Sequence, residues 1–272
     1  MEKKYRLTKE TKEWKGHILH RIKALKGFGN VKKGELGGWI ESEENLLQEG
    51  NCWVSGNAWV CGKAVVRGNA KVCDNAVVYD DAAVCGNAVV CNLAQVYGNS
   101  VVYGDAIVSC SAAVHGNAQV CNNAVVFGNA EVCGYACVHG NAKVCGHAWV
   151  YGDAVVSGDA WLSDKAVVCD HAKVYGNAQV DGDAQVRGNA EVCGYAMVCG
   201  NAVIEKNSDY ILFKNFWSSG RFFTWTRSNN MWTVGCFCGT GEELIKKAYA
   251  DSEESGKFYQ KYVEFVEMLK KC

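Results

Sequence analysis

Arg221, Phe223, Trp225 and Arg227 alternate along one stretch of this 272-residue chain, with Trp217 before them and Trp232 after them. On an extended strand alternate side chains share a face. Two guanidinium groups and two aromatic rings are therefore expected to stand together. Guanidinium forks bind phosphate and carboxylate bidentately, and aromatic faces stack on planar bases. Ser228, Asn229 and Asn230 follow at a turn and could read polar edges. Trp217, Arg221, Phe223, Trp225, Arg227, Asn229, Asn230 and Trp232 thus form a candidate site for a small, planar, anionic ligand such as a nucleotide. The same residues could instead build the aromatic core of a small domain, with arginine packed over tryptophan by cation–π contact.

Histidine and cysteine are the other chemical candidates. His115, His139, His147 and His171 could each serve as a base. Spacing assigns none of them a carboxylate or asparagine partner. Cys236 and Cys238 would share a strand face, as a metal pair or as plain strand packing. The expectation is no catalytic residue, no resident metal and no cofactor.

The elements that position these residues follow a six-residue period. From Val54 to Val198 every sixth residue is valine except Leu162, and Ile204 closes the series. Alanine stands two residues before each, from Ala58 to Ala202, except at Ser100. The unit reads Gly-Asn-Ala-x-Val-x, as in Gly68–Cys73. A strict short period fixes the architecture. Alternation turns valine and alanine inward and the variable residues outward, while Gly-Asn supplies the positive φ of a corner. A corner every six residues gives a coil rather than a flat sheet. Proline is absent, in keeping with a stack whose residues all join ladders.

This pattern resembles the left-handed parallel β-helix of hexapeptide-repeat proteins. The resemblance implies three units per turn, a left-handed coil and a homotrimer of prisms side by side. Three units are 18 residues, hence about eight coils and a prism about 40 Å long at roughly 4.8 Å per coil. On such a rung Asp74, Asn92 and Cys110 replace glycine at 18-residue spacing and stack on one edge. That edge is the least regular of the three: either it faces something, or the corner tolerates drift. His115 would meet Cys133, and His139 Cys121, across neighbouring rungs; two ligands do not make a zinc site. Hexapeptide-repeat folds also resemble acyltransferases, which carry a histidine base and interrupt the coil with a long loop, and γ-class carbonic anhydrases, which hold zinc with three histidines. This coil has no insertion and its histidines are scattered.

Residues 1–50 read as an N-terminal cap, 51–205 as the β-helix and 206–272 as a C-terminal α+β unit of βββαα order. Tyr210–Phe213, Arg221–Arg227 and Met231–Cys238 read as its strands. Thr240-Gly-Glu-Glu is a capping box opening one helix, and Tyr259, Tyr262, Val263, Val266 and Leu269 form the stripe of a second. The segments Gly34–Glu41 and Phe223–Trp232 resemble those of uncharacterised hexapeptide-repeat proteins of bacteria and phages, often labelled transferases or polymer-forming proteins.

The formal net charge is −1, so no global field recruits long nucleic acid or an anionic membrane. The N-terminus is charged and no apolar run reaches membrane-spanning length, which suggests a cytoplasmic protein, or one in the host cytoplasm if phage-encoded. Most of the 16 cysteines recur just after the valine, a slot read as a surface slot with free thiols. The expected function is a non-catalytic trimeric β-helix that binds a small nucleotide-like ligand. A phage could use such a protein as a sponge to sequester a host defence signal. The alternatives are a polymer-forming scaffold and a hexapeptide acyltransferase.

Overall fold

The computed structural model describes residues 2–271. Each hexapeptide contributes a two-residue strand ending on its valine, such as Val89–Val90 or Val101–Val102. Each strand pairs in parallel with the strand 18 residues on, as Val90 does with Val108 and Val96 with Val114. The strands stack into three walls, in sheets of 12, 9 and 8 strands, three of the 12 being N-terminal strands that precede the coil. The inward valines and alanines from Val54 to Ile204 form one continuous core, nearly all at 0% exposure. Alternating large and small inward residues let three flat walls close on a narrow interior at native density.

The corners show why aspartate and asparagine replace glycine where they do. Asp74, Asp80, Asn92, Asp164 and Asp170 have positive φ, which short polar side chains tolerate. Each accepts the backbone N–H of the corner residue one rung on: Asp74 from Asn92 (3.0 Å), Asp80 from Gly98 (3.2 Å), Asn92 from Cys110 (3.3 Å), Asp164 from Gly182 (3.3 Å) and Asp170 from Gly188 (2.9 Å). The next corner position builds amide ladders, as in Asn51, Asn69, Asn87 and Asp105, where each Nδ2 donates to the next Oδ1.

Both ends of the coil are covered. β1 (Tyr5–Trp14) and β2 (His17–Ala24) form an antiparallel hairpin, and β3 (Leu36–Ile40) pairs with β2 and then in parallel with the coil strand at Trp59. Lys4 is buried (1% exposed), and its Nζ donates to the carbonyls of Glu49, Gly50 and Cys52. At the far end the last rung presents N–H groups with no further strand to receive them. Side-chain oxygens take one on each wall: Asn207 Oδ1 from Glu191 (2.7 Å), Thr224 Oγ1 from Met197 (2.8 Å) and Ser228 Oγ from Val203 (2.7 Å). An open β edge that invites association is thereby closed by the C-terminal unit.

That unit has four antiparallel strands, Tyr210–Lys214, Phe222–Thr226, Met231–Val234 and Phe237–Gly239, in sequential order. The expected βββαα order is therefore ββββαα. Gly235, at φ 57°, turns the anticipated Met231–Cys238 strand back on itself. Helices α1 (Gly241–Asp251) and α2 (Glu253–Leu269) follow, and Thr240 and Glu243 form the reciprocal capping box read from the sequence. No helix of the described residues is long and apolar enough to cross a membrane.

Two further expectations are corrected. Cys199 and Cys238 form a disulfide that ties the last coil to the C-terminal sheet, so not every thiol in the repeat slot is free. Several slot thiols are also buried, because rings from the next rung lie over them: Trp149 Nε1 donates to Cys133 Sγ and Trp161 Nε1 to Cys145 Sγ, both at 3.3 Å.

Asp181 stands in the same outward slot, half-buried. Burial, and then the Asp164 carboxylate, raise its pKa above the ordinary carboxylate value. The folded state therefore binds this proton more tightly than the unfolded state does, and stability falls as pH rises through the raised range. Asp181→Asn is expected to raise the melting temperature at neutral pH, and the gain should vanish in acid below the carboxylate range. Melting curves of both proteins across that range check it.

Candidate functional site

The Phe222–Thr226 strand places its two faces in different surroundings. Phe223 and Trp225, with Trp232 on the neighbouring strand, are 0%, 1% and 2% exposed and pack against Leu244, Ala248, Tyr259 and Val266. These three rings are core; Phe223 meets the rings of Trp232, Tyr259 and Tyr262. Trp225 Nε1 donates to Asn230 Oδ1 at 3.0 Å, and Lys270 Nζ reaches the same oxygen. Asn229 accepts from Met231 N and Thr226 Oγ1 and donates to the Cys199 carbonyl. Both asparagines thus organise the turn and its seat on the coil.

The two arginines flank the strand and do not converge. Six residues of extended chain separate them by roughly 20 Å. Arg227 lies in a shallow cleft beside Arg187, Glu205 and Asp209, where Arg187 already pairs with Glu205. Trp217 is half-buried, stacks on Phe258 (4.7 Å between centroids) and donates to Ser255 Oγ at 3.3 Å. Of the predicted set, the two arginines are exposed, at separate places.

Arg221 stands on a ridge between two clefts. One has a volume of about 510 Å³; its polar lining is Asn215, Ser218, Ser219, Arg221, Cys236, Lys247, Asp251, Ser252, Ser255 and Tyr259, with Val234, Phe237, Leu244 and Ala248 as its apolar part. Ser252 caps the N-terminus of the 17-residue α2, and a helix N-terminus favours negative charge. Asn215 donates to the Tyr259 hydroxyl at 3.4 Å. Burial raises the Tyr259 pKa, while the Asn215 hydrogen bond and the Arg221 charge pull against that rise; the hydroxyl stays protonated and available as a donor. Asp251 is the one acidic residue in the lining, against the two cations Arg221 and Lys247. Neither cation forms a salt bridge among the described residues.

The second cleft, about 450 Å³, is lined by Asn177, Gln179, Tyr195, Met197, Ser219, Gly220, Arg221, Phe222 and Gly235. Tyr195 and Phe222 stack in parallel, 4.5 Å apart and 8° from coplanar, with Tyr195 51% exposed. Sequence reasoning missed both rings. Phe222 lies on the strand face opposite the one chosen, and Tyr195 belongs to the coil. The available signal was Tyr195 itself, an aromatic at a corner position the repeat gives to asparagine or aspartate.

A second constellation lies on the prism wall. His115 Nε2 meets Glu131 Oε1 at 2.8 Å, which supplies the carboxylate partner that spacing did not assign. The His115 ring continues a stack from Tyr79 through Tyr97, at 4.8 and 4.6 Å. Cys133 joins this group, the three donor atoms lying within 4.8 Å of one another. His171 faces Asp153 at 3.5 Å on an exposed corner. Cys238 is in the disulfide and Cys236 is exposed beside the Gly235 turn, so the two form no pair.

Residues 94–109 and 118–134 match the YdcK beta-solenoid repeat family. A stretch of 60 residues is 40% identical to a protein of Escherichia coli (strain K12) named "Uncharacterized acetyltransferase YdcK". It covers 19% of this chain and 18% of that protein. Both similarities fit the hexapeptide-repeat β-helix seen in the strand pairing.

Proposed function

We propose that the protein is a non-catalytic β-helix whose junction with the C-terminal unit binds a small anionic, planar ligand. The observation that carries this reading is the exposed Arg221 guanidinium. It has no salt-bridge partner among the described residues and lies between a hydroxyl-rich cleft and a stacked Tyr195–Phe222 pair. A phosphate or carboxylate on the guanidinium would place a planar group within reach of the ring pair, with Asn177 and Gln179 beside it. Nucleotides have this combination of features, and a sponge for a signalling nucleotide is the biological role it suits. The exposed outward rings Trp149 (43%) and Trp161 (45%) suit a homotrimer with walls in contact. The covered coil ends count against a head-to-tail polymer.

Calorimetry of the purified chain against a panel of mono-, di- and cyclic nucleotides tests the reading. Saturable binding that weakens as salt rises is expected, because an exposed ion pair is screened. Absence of heat across the panel would overturn it.

The second reading, acyl transfer, is favoured by the His115–Glu131 pair and by the name of the similar protein. Glu131 would hold one ring nitrogen while the other takes a proton from the acceptor amine or hydroxyl. The acceptor attacks the thioester carbonyl and the thiol leaves. Release of free thiol from acetyl-CoA with a panel of amines and sugars, lost in His115→Ala and reduced in Glu131→Gln, would establish it. No turnover in the wild type would remove it.

A further inference from the structure

The corner at Asp74 brings two thiols and a carboxylate together. Glycine is replaced there by Asp74 and, one and two rungs on, by Asn92 and Cys110. The slot before this corner holds Cys73, and the same slot one rung on holds Cys91. Cys73 Sγ, Cys91 Sγ and an Asp74 carboxylate oxygen lie within 4.8 Å of one another. Cys73 Sγ is 3.9 Å from Asp74 Oδ2. Zinc–sulfur bonds of about 2.3 Å in a tetrahedron put neighbouring ligand atoms about 3.8 Å apart, so closing on an ion asks for small side-chain movements. We propose that this corner binds one thiophilic divalent cation of the zinc class through Cys73, Asp74 and Cys91.

The ligand set selects the ion. Two sulfurs and one carboxylate suit zinc and disfavour magnesium or calcium, which demand oxygen ligands. Binding releases the two thiol protons to solvent. The carboxylate is already oriented, because Asn92 donates to Oδ2 from its backbone (3.0 Å) and its side chain (3.1 Å). The backbone part of this support recurs at the other aspartate corners; at Asp74 the Asn92 side chain adds to it and holds the carboxylate beside Cys73. Cys73 also lines a groove of about 430 Å³ beneath the N-terminal cap, which gives the ion a route in. Cys73 and Asp74 stand on one rung and Cys91 on the next, so the ion would clamp two coils together near the capped end.

Native mass spectrometry of the full, reduced chain titrated with Zn²⁺ tests the proposal. Cys73→Ser/Cys91→Ser is expected to hold one zinc fewer than the wild type. Any ion at the separate His115–Glu131–Cys133 group would appear in both proteins and cancel. With Co²⁺ the wild type should show a stronger thiolate-to-cobalt charge-transfer band than the double variant, by the share of one ion. Folding should survive, since serine fills the same slot at Ser109 and Ser163; circular dichroism checks this. Asp74→Asn, which copies the chain's own Asn92, should weaken binding by more than the roughly 10–100-fold that loss of an outer-shell partner costs. Equal zinc counts and equal cobalt spectra in wild type and double variant would overturn the site.

Discussion

Gly116→Val is expected to destabilise the coil by about 2–5 kcal/mol, whereas Gly116→Asp should stay within about 1 kcal/mol of the wild type. Gly116 has φ 68°, and a Cβ there would lie 2.9 Å from Gly134 N and 3.1 Å from Gly134 O on the next rung. A β-branched residue in the left-handed region pays for the backbone conformation and then crowds that peptide. Aspartate starts from the same Cβ position, but its carboxylate can accept the Gly134 N–H. Asp80 and Asp170 do this on the same edge, receiving Gly98 N and Gly188 N. Urea denaturation of the three proteins reads the difference. Equal midpoints for the valine and aspartate variants would contradict this account of the corner.

The second large effect concerns binding. Arg221→Ala should weaken the anionic ligand by about 1.5–3 kcal/mol, roughly 10- to 150-fold, the range for hydrogen bonds to a charged group. The fold should not change, because the hydrogen bonds of Arg221 within the protein run through its backbone: its carbonyl accepts from Asn215 N and its N–H donates to Ser219 Oγ. Arg221→Lys should recover part of the loss, since it restores charge without the bidentate fork. Trp225→Ala provides the contrast. Its ring is 1% exposed, and its loss should cost about 3–5 kcal/mol of stability in the C-terminal unit. Calorimetry paired with thermal melts separates the two: Arg221 variants lose affinity and keep the melt, and Trp225→Ala lowers the melt. Unchanged affinity in Arg221→Ala would remove the guanidinium from the site.

The coil was legible because its inward positions are under strict steric control. Only valine, alanine and a few near neighbours fit the interior, so the period survives without a slip. The outward faces were harder to read for a specific reason. The side chain after the valine on one rung meets the side chain before the valine on the next, a separation of 16 residues. His115–Glu131, Cys133–Trp149, Cys145–Trp161 and Tyr175–Glu191 all follow this diagonal. Comparing positions 18 apart overlooks every one of them. In the C-terminal unit, aromatics stand on both faces of one strand, Phe222 on one and Phe223 and Trp225 on the other. Alternation finds the two faces but cannot say which one the helices cover. The Cys199–Cys238 bridge joins residues 39 apart in different units, and spacing gives no sign of it.

The proposed function rests on a small ligand held at Arg221. Native mass spectrometry of the freshly purified chain, alone and with the nucleotide panel, tests that most directly, and the same spectra report the oligomer. The expected result is a trimer carrying one small anionic ligand per chain, with the adduct absent from Arg221→Ala under identical conditions. Bare wild-type masses that no member of the panel shifts would contradict it.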